Sequence, residues 1–334
     1  MTRHAIRKKL DNLKIRRVAI VVAVLAACGL LAGLHAWLTS SRSRDSIDLR
    51  VFHAAGMTSL IEEGRRSFRR EAGIRLRAEG SGSQVACRKV AELGRTCDLL
   101  MLADRALVEK LLDGVCTWRL DFAADEVVLG VGQRAPRVPE AEQDWVSVLR
   151  NTDVRLGRVD ENQGPIGYRT LLVWKLQAQR GSSGLTKALR EQTDVVVDHV
   201  SRLPPLLNTG QLDYAFLYRS VCIANDVRYI ALDEKINLGS PDMDYSGAEV
   251  TFEAPGATEE GAVTMRASPI VWTMTIPQEG ADREAAVRFI RYLLEDKSEL
   301  LKRNGFRPLK PARYYGAKDM WSSFRDIADY RRKF

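Results

Sequence analysis

The chain has 334 residues, long enough to bury a sizeable core and to form two compact units rather than one. Its hydrophobic fraction of 45% and charged fraction of 28% are those of an ordinary globular protein. The formal net charge is +8, but residues 1–44 hold nine of the 51 basic residues and one of the 43 acidic ones. The remainder is therefore neutral, and the charge gives no indication of nucleic-acid binding.

An apolar segment follows this basic N-terminus. Residues 18–38 form a run of 21 without a charge, enough to span a bilayer core of about 30 Å at ~1.5 Å per residue. Seven basic residues in the tail at 1–17 predict that it is cytoplasmic and that residues 45–334 lie outside. Three interpretations are open: an uncleaved membrane anchor, which fits the length best, a lipoprotein signal ending at Cys28, and an ordinary cleaved signal. The first two tether the protein to the membrane.

Four cysteines follow the apolar segment: Cys87, Cys97, Cys116 and Cys222. An oxidising compartment permits disulfides, and Cys97–Cys116 is the pair we expect because both residues flank one predicted strand–helix unit. Four buried thiols are the alternative. The sequence has no CxxC motif or Cys/His cluster, so we predict no metal site, and we predict no cofactor.

From residue 45 onward, strand and helix patterns alternate, which predicts an α/β protein with helices on both faces of a parallel sheet. The predicted strands are residues 47–54, 74–78, 98–102, 154–157, 194–200, 213–218 and 229–232. The predicted helices are residues 60–72, 84–93, 105–112, 145–150, 168–179, 281–295 and 297–304, with a short helix within 203–212. Two further strand-like runs, 122–132 and 270–276, are candidates for crossings between two lobes. The segments 239–261 and 307–334 are polar, and we expect the first to be an exposed excursion.

Three loops of glycine and polar residues each precede a helix pattern. They are residues 56–59 (GMTS), 80–83 (GSGS) and 160–169 (DENQGPIGYR). A helix start has backbone N–H groups without partners and carries partial positive charge, so these loops predict a shared oxyanion pocket. The alternative is that they only cap helices and form turns.

Several segments resemble the tungstate/molybdate-binding proteins of ABC importers. Residues 52–58 (FHAAGMT) are similar to the opening FHAGSLS of that family, and residues 164–169 (GPIGYR) resemble its DPCGYR. Residues 214–221 (YAFLYRSV) resemble its YAFEYRSVA. Weaker similarities, in the same order along the chain, extend the resemblance from about residue 50 to residue 312.

The resemblance implies a two-lobed type II periplasmic-binding-protein fold that closes over a small anion. We expect residues 46–125 plus 270–330 to form lobe 1 and residues 126–269 to form lobe 2. It also implies that the protein delivers its ligand to an ABC permease with a cytoplasmic ATPase. Both partners would be separate chains, because this sequence has no Walker motif or bundle of membrane helices.

The departures from the family pattern concern the ligand. In archaeal members two carboxylates complete the coordination of the metal centre, and here their positions are Gly164 and Leu217. The resemblance therefore implies that molybdate or tungstate is held as a tetrahedral dianion by hydrogen bonds alone. Losing two negative groups beside a dianion is electrostatically favourable. It also leaves sulfate, phosphate-like or organic anions open, bound by an anchored receptor that presents its ligand to a sensor or another partner.

The predicted ligand donors are hydroxyls, backbone N–H groups at helix starts and one phenol. The residues are Gly56, Thr58, Gly82, Ser83, Ile166, Gly167 and Tyr218. For Tyr218 the alternative is a core residue with its hydroxyl bound to backbone. Arg169 either binds the ligand or braces its loop through Asp160 or Glu161.

Catalysis has little support in this sequence. The extracytoplasmic part contains only His53 and His199, and it has no GxSxG or HExxH motif. We expect His53 to be packed rather than to contact ligand, and we expect Asp98 and Asp104 to be structural caps. The protein is therefore predicted not to be an enzyme.

Overall fold

A computed structural model of the chain describes residues 47–253 and 262–331. The predicted cytoplasmic tail, the apolar segment at 18–38 and Cys28 lie outside the described residues. Among the helices in the described ranges, none combines the length and the apolar character that crossing a bilayer requires.

The described residues contain strands and α-helices in alternation, together with short 3₁₀ segments and one π-helical turn. The strands are β1 (Asp48–Ala54), β2 (Arg75–Ser81), β3 (Leu99–Leu102), β4 (Trp118–Ala124), β5 (Val127–Val131), β6 (Leu156–Val159), β7 (Thr193–Val197), β8 (Tyr214–Tyr218), β9 (Arg228–Ala231), β10 (Glu249–Glu253), β11 (Ala262–Arg266), β12 (Val271–Thr275), β13 (Arg307–Gly316) and β14 (Ala328–Arg331). The helices are α1 (Thr58–Ala72), α2 (Ser83–Ala91), α3 (Ala106–Leu111), α4 (Val138–Leu149), α5 (Pro165–Gln179), α6 (Leu185–Gln192), α7 (Leu203–Asn208), α8 (Arg219–Ala224), α9 (Arg283–Arg291) and α10 (Ser298–Arg303).

The strands form two main sheets, and each sheet is the centre of one lobe. The first has the order β14-β13-β4-β12-β3-β1-β2, with β1 parallel to both β2 and β3 and with β12 antiparallel to both β3 and β4. The second has the order β7-β6-β8-β5-β9, with β6 parallel to its neighbours and β5 antiparallel to both of its own. A two-stranded hairpin, β10–β11, makes a third small sheet. All residues of β3, β5, β8 and β12 are buried, as expected for strands covered on both faces.

The chain passes between the sheets at Asp125 and Glu126. The predicted single strand over 122–132 is in fact two strands, β4 in the first sheet and β5 in the second. The return lies beside it, where the Asp125 N–H donates to the Ile270 carbonyl at 3.3 Å and the Ile270 N–H donates to Leu238 at 2.8 Å. The lobe boundaries given above stay a prediction.

Asp125 is hydrogen-bonded to residues of both lobes at this junction. Its buried carboxylate accepts hydrogen bonds from Ser220 Oγ at 2.5 Å, from Trp272 Nε1 at 3.1 Å and from the Glu126 N–H at 2.9 Å. Ser220 belongs to the second lobe and Trp272 to the first. A polar side chain in an otherwise apolar run therefore marks the point where one strand becomes two.

The structure differs from the sequence analysis in three local features. The Cys97–Cys116 disulfide prediction is wrong: Cys87, Cys97, Cys116 and Cys222 are all free and buried. Their apolar surroundings suit thiols that behave as small hydrophobes, and burial raises the pKa of Cys97 to about 12. The C-terminal tail adds two strands to the first sheet. The polar excursion contains the β10–β11 hairpin, although residues 254–261 lie outside the described ranges.

Candidate functional site

A small cavity lies where helix starts from both lobes meet. Its volume is about 20 Å³, and about 10–15 Å³ on the same scale hold one water molecule. The lining residues are Ala54, Ala55, Gly56, Ser81, Gly82, Ser83, Ala103, Gly164, Pro165, Ile166, His199, Val200 and Tyr218. This lining, within the described part of the chain, includes no carboxylate and no lysine or arginine. The cavity therefore suits a small species bound by neutral donors.

Ser83 contributes a buried hydroxyl to the lining of this cavity. It is the first residue of α2 and is 0% exposed. Its Oγ accepts a hydrogen bond from the Ala103 N–H at 3.1 Å, so the hydroxyl proton stays available for a ligand. The neighbouring Ser81 differs, because its Oγ donates to the Gly82 carbonyl at 3.3 Å.

Gly82 permits the two lobes to approach at the cavity. A Cβ at this position would overlap the Gln163 carbonyl oxygen of the second lobe. Its φ of −59° and ψ of 147° are open to any residue, so glycine is required by the contact and not by the backbone conformation. The sequence analysis predicted a backbone donor to the ligand at Gly82, with a turn glycine as the alternative, and the contact with Gln163 is a role that it did not consider.

The first loop contributes Gly56 but not Thr58. Gly56 lies in a 3₁₀ turn, Ala55–Met57, and a Cβ there would meet Trp272 Cη2 at 2.8 Å. Thr58 is exposed, is absent from the cavity lining, and its Oγ1 donates to the Ala55 carbonyl at 2.8 Å. Its hydroxyl therefore caps the turn, which was the alternative interpretation of these loops.

The third loop contributes the start of α5. Pro165 has no N–H, so Ile166 is the first residue of this helix that can donate into the cavity. The Gly167 N–H instead donates to the Gly164 carbonyl at 2.8 Å, and Gly167 is absent from the lining. A Cβ at Gly167 would overlap the Asp160 backbone, so this glycine packs its own loop.

Tyr218 ends β8 beside the cavity. Its Oη accepts a hydrogen bond from Arg169 Nη1 at 2.8 Å, which leaves the phenol proton for a ligand. Burial raises the pKa of Tyr218, so the side chain remains a neutral donor. The adjacent Leu217 is buried and is not part of the lining; its side chain packs towards Gly130.

Arg169 takes a partner that the sequence analysis did not consider. Its Nη2 pairs with Asp104 Oδ2 at 2.8 Å, and its Nη1 also donates to the Ala103 carbonyl at 2.7 Å. Tyr168 Oη donates to the same Asp104 oxygen at 2.5 Å. Burial opposes the charge of Arg169, but Asp104, Tyr218 and Tyr168 together outweigh it and the pKa of Arg169 is raised.

Asp104 thus has two roles. It caps α3 as predicted, by accepting from the Ala106 N–H at 2.9 Å, and it holds Tyr168 and Arg169 of the other lobe. Two further bonds cross between the lobes, from Ser201 Oγ to the Ala55 carbonyl at 2.8 Å and from Gln84 Nε2 to the Glu161 carbonyl at 3.1 Å.

The sequence analysis missed His199 and Val200 at the cavity. They begin a 3₁₀ turn, Val200–Arg202, directly after β7, so this is a fourth helix start. The signal was present, because a strand pattern ends at this point and a helix pattern follows. The loop contains no glycine, and for that reason it did not resemble the other three.

Two other sequence expectations are confirmed. His53 is packed, with Nδ1 at 3.0 Å from the Ala54 carbonyl and 3% exposure, and it is absent from the lining. Asp98 is structural, since it pairs with Arg50 at 3.1 Å and accepts from the Ala281 N–H at 3.0 Å. Over residues 47–253 and 262–331 we find no group of three or more His, Cys, Asp or Glu placed to hold a metal ion.

The fold agrees with the comparison to known protein families. Residues 49–307 match the family of bacterial extracellular solute-binding proteins. The chain belongs to this family. Members of the family bind solutes outside the cytoplasm for transport and are not enzymes.

Relatives of this solute-binding protein cover most of its length. An uncharacterized solute-binding protein of Petrotoga mobilis is 30% identical over 79% of this chain and 84% of its own. The molybdate/tungstate-binding protein WtpA of Pyrococcus abyssi is 27% identical over 90% of this chain and 96% of its own. The solved periplasmic molybdate-binding protein of Azotobacter vinelandii shares the fold, with a TM-score of 0.57, 18% identity, and coverage of 77% of this chain and 98% of its own. The predicted two-lobed type II binding-protein fold is therefore confirmed.

Proposed function

We propose that this protein is the extracytoplasmic solute-binding component of an ABC importer and that it binds molybdate or tungstate. The observation that carries the proposal is the cavity between the lobes. The starts of α2 and α5, two 3₁₀ turns and the hydroxyls of Ser83 and Tyr218 form its lining, which contains no carboxylate. The relatives from Pyrococcus abyssi and Thermococcus kodakarensis named as molybdate/tungstate-binding proteins support the choice of anion.

The donor set suits a fully deprotonated oxyanion. The N–H groups at helix starts and the hydroxyl protons of Ser83 and Tyr218 are donors that stabilise negative charge, and exclusion of water strengthens each of these bonds. Phosphate near neutral pH carries a proton, and the lining provides no carboxylate to accept it. We therefore expect the site to favour dianions that carry no proton.

The family's carboxylate ligation does not apply to this site. Gly164 lines the cavity at one of the expected positions, and Leu217 is a buried apolar residue at the other. The anion is therefore held by hydrogen bonds alone, as a tetrahedral species. The small cavity volume of about 20 Å³ favours an inorganic oxyanion over an organic acid.

Isothermal titration calorimetry of the full chain in mild detergent tests the ligand. The panel is molybdate, tungstate, sulfate, phosphate and a small organic acid. Submicromolar binding of molybdate or tungstate, with no heat from phosphate or the organic acid, supports the proposal. Binding of sulfate alone would assign a different dianion to the same cavity, and no response to any oxyanion would overturn the proposal. A search of the neighbouring genes for a permease and an ATPase, followed by uptake assays in vesicles that contain them, would test the transport role.

A further inference from the structure

Arg169 lies behind the cavity and is bonded to two of its lining residues. The side chain is buried, with 2% of the residue exposed, and it is absent from the lining itself. Its Nη1 donates to Tyr218 Oη at 2.8 Å and to the Ala103 carbonyl at 2.7 Å. Tyr218 ends β8 of the second lobe and Ala103 follows β3 of the first, so one guanidinium nitrogen joins the cavity wall across both lobes.

The bond to Tyr218 fixes the role of the phenol. A phenol oxygen that accepts a hydrogen bond from a cation becomes a stronger donor of its own proton. Burial raises the pKa of Tyr218, whereas the charge and the hydrogen bond of Arg169 lower it. Arg169 therefore makes the phenol a better donor than burial alone would allow, and it occupies the oxygen as an acceptor.

The bond to Ala103 acts on the second hydroxyl of the cavity. The Ala103 N–H donates to Ser83 Oγ at 3.1 Å, which leaves the serine proton for a ligand. Arg169 holds the carbonyl of the same residue and pairs with the carboxylate of the next one, Asp104, at 2.8 Å. Two consecutive residues after β3 are therefore fixed by one side chain, and with them the N–H group that orients Ser83.

We propose that Arg169 is a positioning residue for the anion, which orients the hydroxyls of Tyr218 and Ser83 without touching the ligand. The inference rests on the proposed function, that this cavity holds an oxyanion. Arg169 reaches Ala103 and Asp104 from the opposite lobe, so these bonds form only where the lobes meet. Because Asp104 balances its charge, the ion pair gives the two donors a direction and adds no net charge behind them.

A double-mutant cycle separates this role from simple bracing of the lobes. Asp104→Asn combined with Arg169→Met removes both charges together, so no buried charge is left without a partner. Tyr218→Phe removes one donor and leaves Arg169 its bonds to the first lobe. Calorimetry of the full chain with molybdate measures the affinity after each change and after their combination, and urea unfolding without ligand confirms that each variant is folded. If the paired variant does not fold, Arg169→Lys replaces it, since lysine keeps the charge beside Asp104 but lacks the planar fork of donors.

The expected result is an interaction between the two changes. The paired variant should bind molybdate at least about tenfold more weakly than the unmodified chain. In the Tyr218→Phe background the same change should cost a factor at least about threefold smaller, because one of the donors that Arg169 orients is already absent. Ser201→Ala is the matched control: Ser201 Oγ donates across the lobes to the Ala55 carbonyl at 2.8 Å and contacts neither hydroxyl. Its cost should be the same factor in both backgrounds.

Two results would overturn the inference. The first is an equal loss of affinity from the paired change in both backgrounds, which would show that Arg169 only braces the lobes. The second is a folded paired variant that binds molybdate as tightly as the unmodified chain. Both leave the proposed function standing, because the unmodified chain still binds molybdate. Absence of binding by every anion of the panel would overturn the proposed function and the inference together.

Discussion

Replacing Ser83 by alanine tests whether the ligand donors are those that line the cavity or those that the sequence pattern predicted. Ser83 Oγ is fully buried and already accepts from the Ala103 N–H at 3.1 Å, so its proton is directed to the cavity. Thr58 was predicted on equal grounds, yet its hydroxyl donates to Ala55 and lies outside the lining. We expect Ser83→Ala to weaken molybdate binding strongly and Thr58→Ala to leave it nearly unchanged.

The size of the effect follows from one lost hydrogen bond to a charged group. Such a bond contributes about 1.5–3 kcal/mol, which corresponds to a dissociation constant about 10- to 150-fold higher. The same change leaves the Ala103 N–H without a partner, so the free energy of unfolding should fall by about 1–3 kcal/mol. For Thr58→Ala, a partly exposed surface change, we expect less than about 0.5 kcal/mol, or roughly twofold in affinity.

Both effects are measurable on the same samples. Calorimetry with molybdate measures affinity, and urea unfolding without ligand confirms that each variant is folded at the concentrations used. Ser81→Ala is a matched control, since this cavity serine donates its proton to Gly82 instead. Equal losses of affinity in Thr58→Ala and Ser83→Ala would refute the assignment of donors, as would a folded Ser83→Ala protein that binds molybdate within about threefold of normal.

Three further predictions concern the contacts between the lobes. Gly82→Ala should weaken molybdate binding at least tenfold by calorimetry, about 1.4 kcal/mol, because its Cβ overlaps Gln163. The same overlap should lower its urea midpoint without ligand, and tight binding would show that this approach of the lobes is not needed. Asp104→Asn leaves the buried Arg169 without its counter-charge, so urea unfolding should show a loss of about 3–5 kcal/mol, and a neutral result would refute the pairing. Burial raises the pKa of Asp125 to about 6, so the folded protein holds a proton that the unfolded chain releases above about pH 4. Stability should therefore fall by about 3 kcal/mol as the pH rises from about 4 to about 6, and Asp125→Asn should remove that part of the pH dependence of the urea midpoint.

The local pattern of the sequence was sufficient for the α/β class and for much of the cavity. It predicted a parallel sheet, whereas β5 and β12 are antiparallel to both of their neighbours. Buried strands such as β3 and β8 are continuous apolar runs, and the amphipathic helix α1 repeats its apolar residues every three or four positions. The helix starts at Ser83 and Ile166 were also visible, because serine at a helix start and proline in a first turn have local conformational reasons. Such features depend on neighbours a few residues apart, which the sequence displays directly.

Contacts between distant segments were decided only by the tertiary structure. Asp104 and Arg169 are 65 positions apart, and no periodicity relates them, so the sequence could not show that they pair across the lobes. The place of His199 in the cavity lining likewise depends on residues from other loops, although the helix pattern that follows it was visible in the sequence. The free state of Cys97 and Cys116 likewise depends on how the core packs around each thiol.

The loops at 56–59 and 80–83 show what the sequence determined and what only the tertiary structure decided. By itself, the sequence determined that each loop begins a helix, since glycine and hydroxyl residues between a strand pattern and a helix pattern are a local signal. Only the tertiary structure decided that Ser83 faces the other lobe and Thr58 caps its own turn. The physical reason is that a hydroxyl proton goes to the nearest acceptor in space, and that acceptor is set by the packing of the whole molecule.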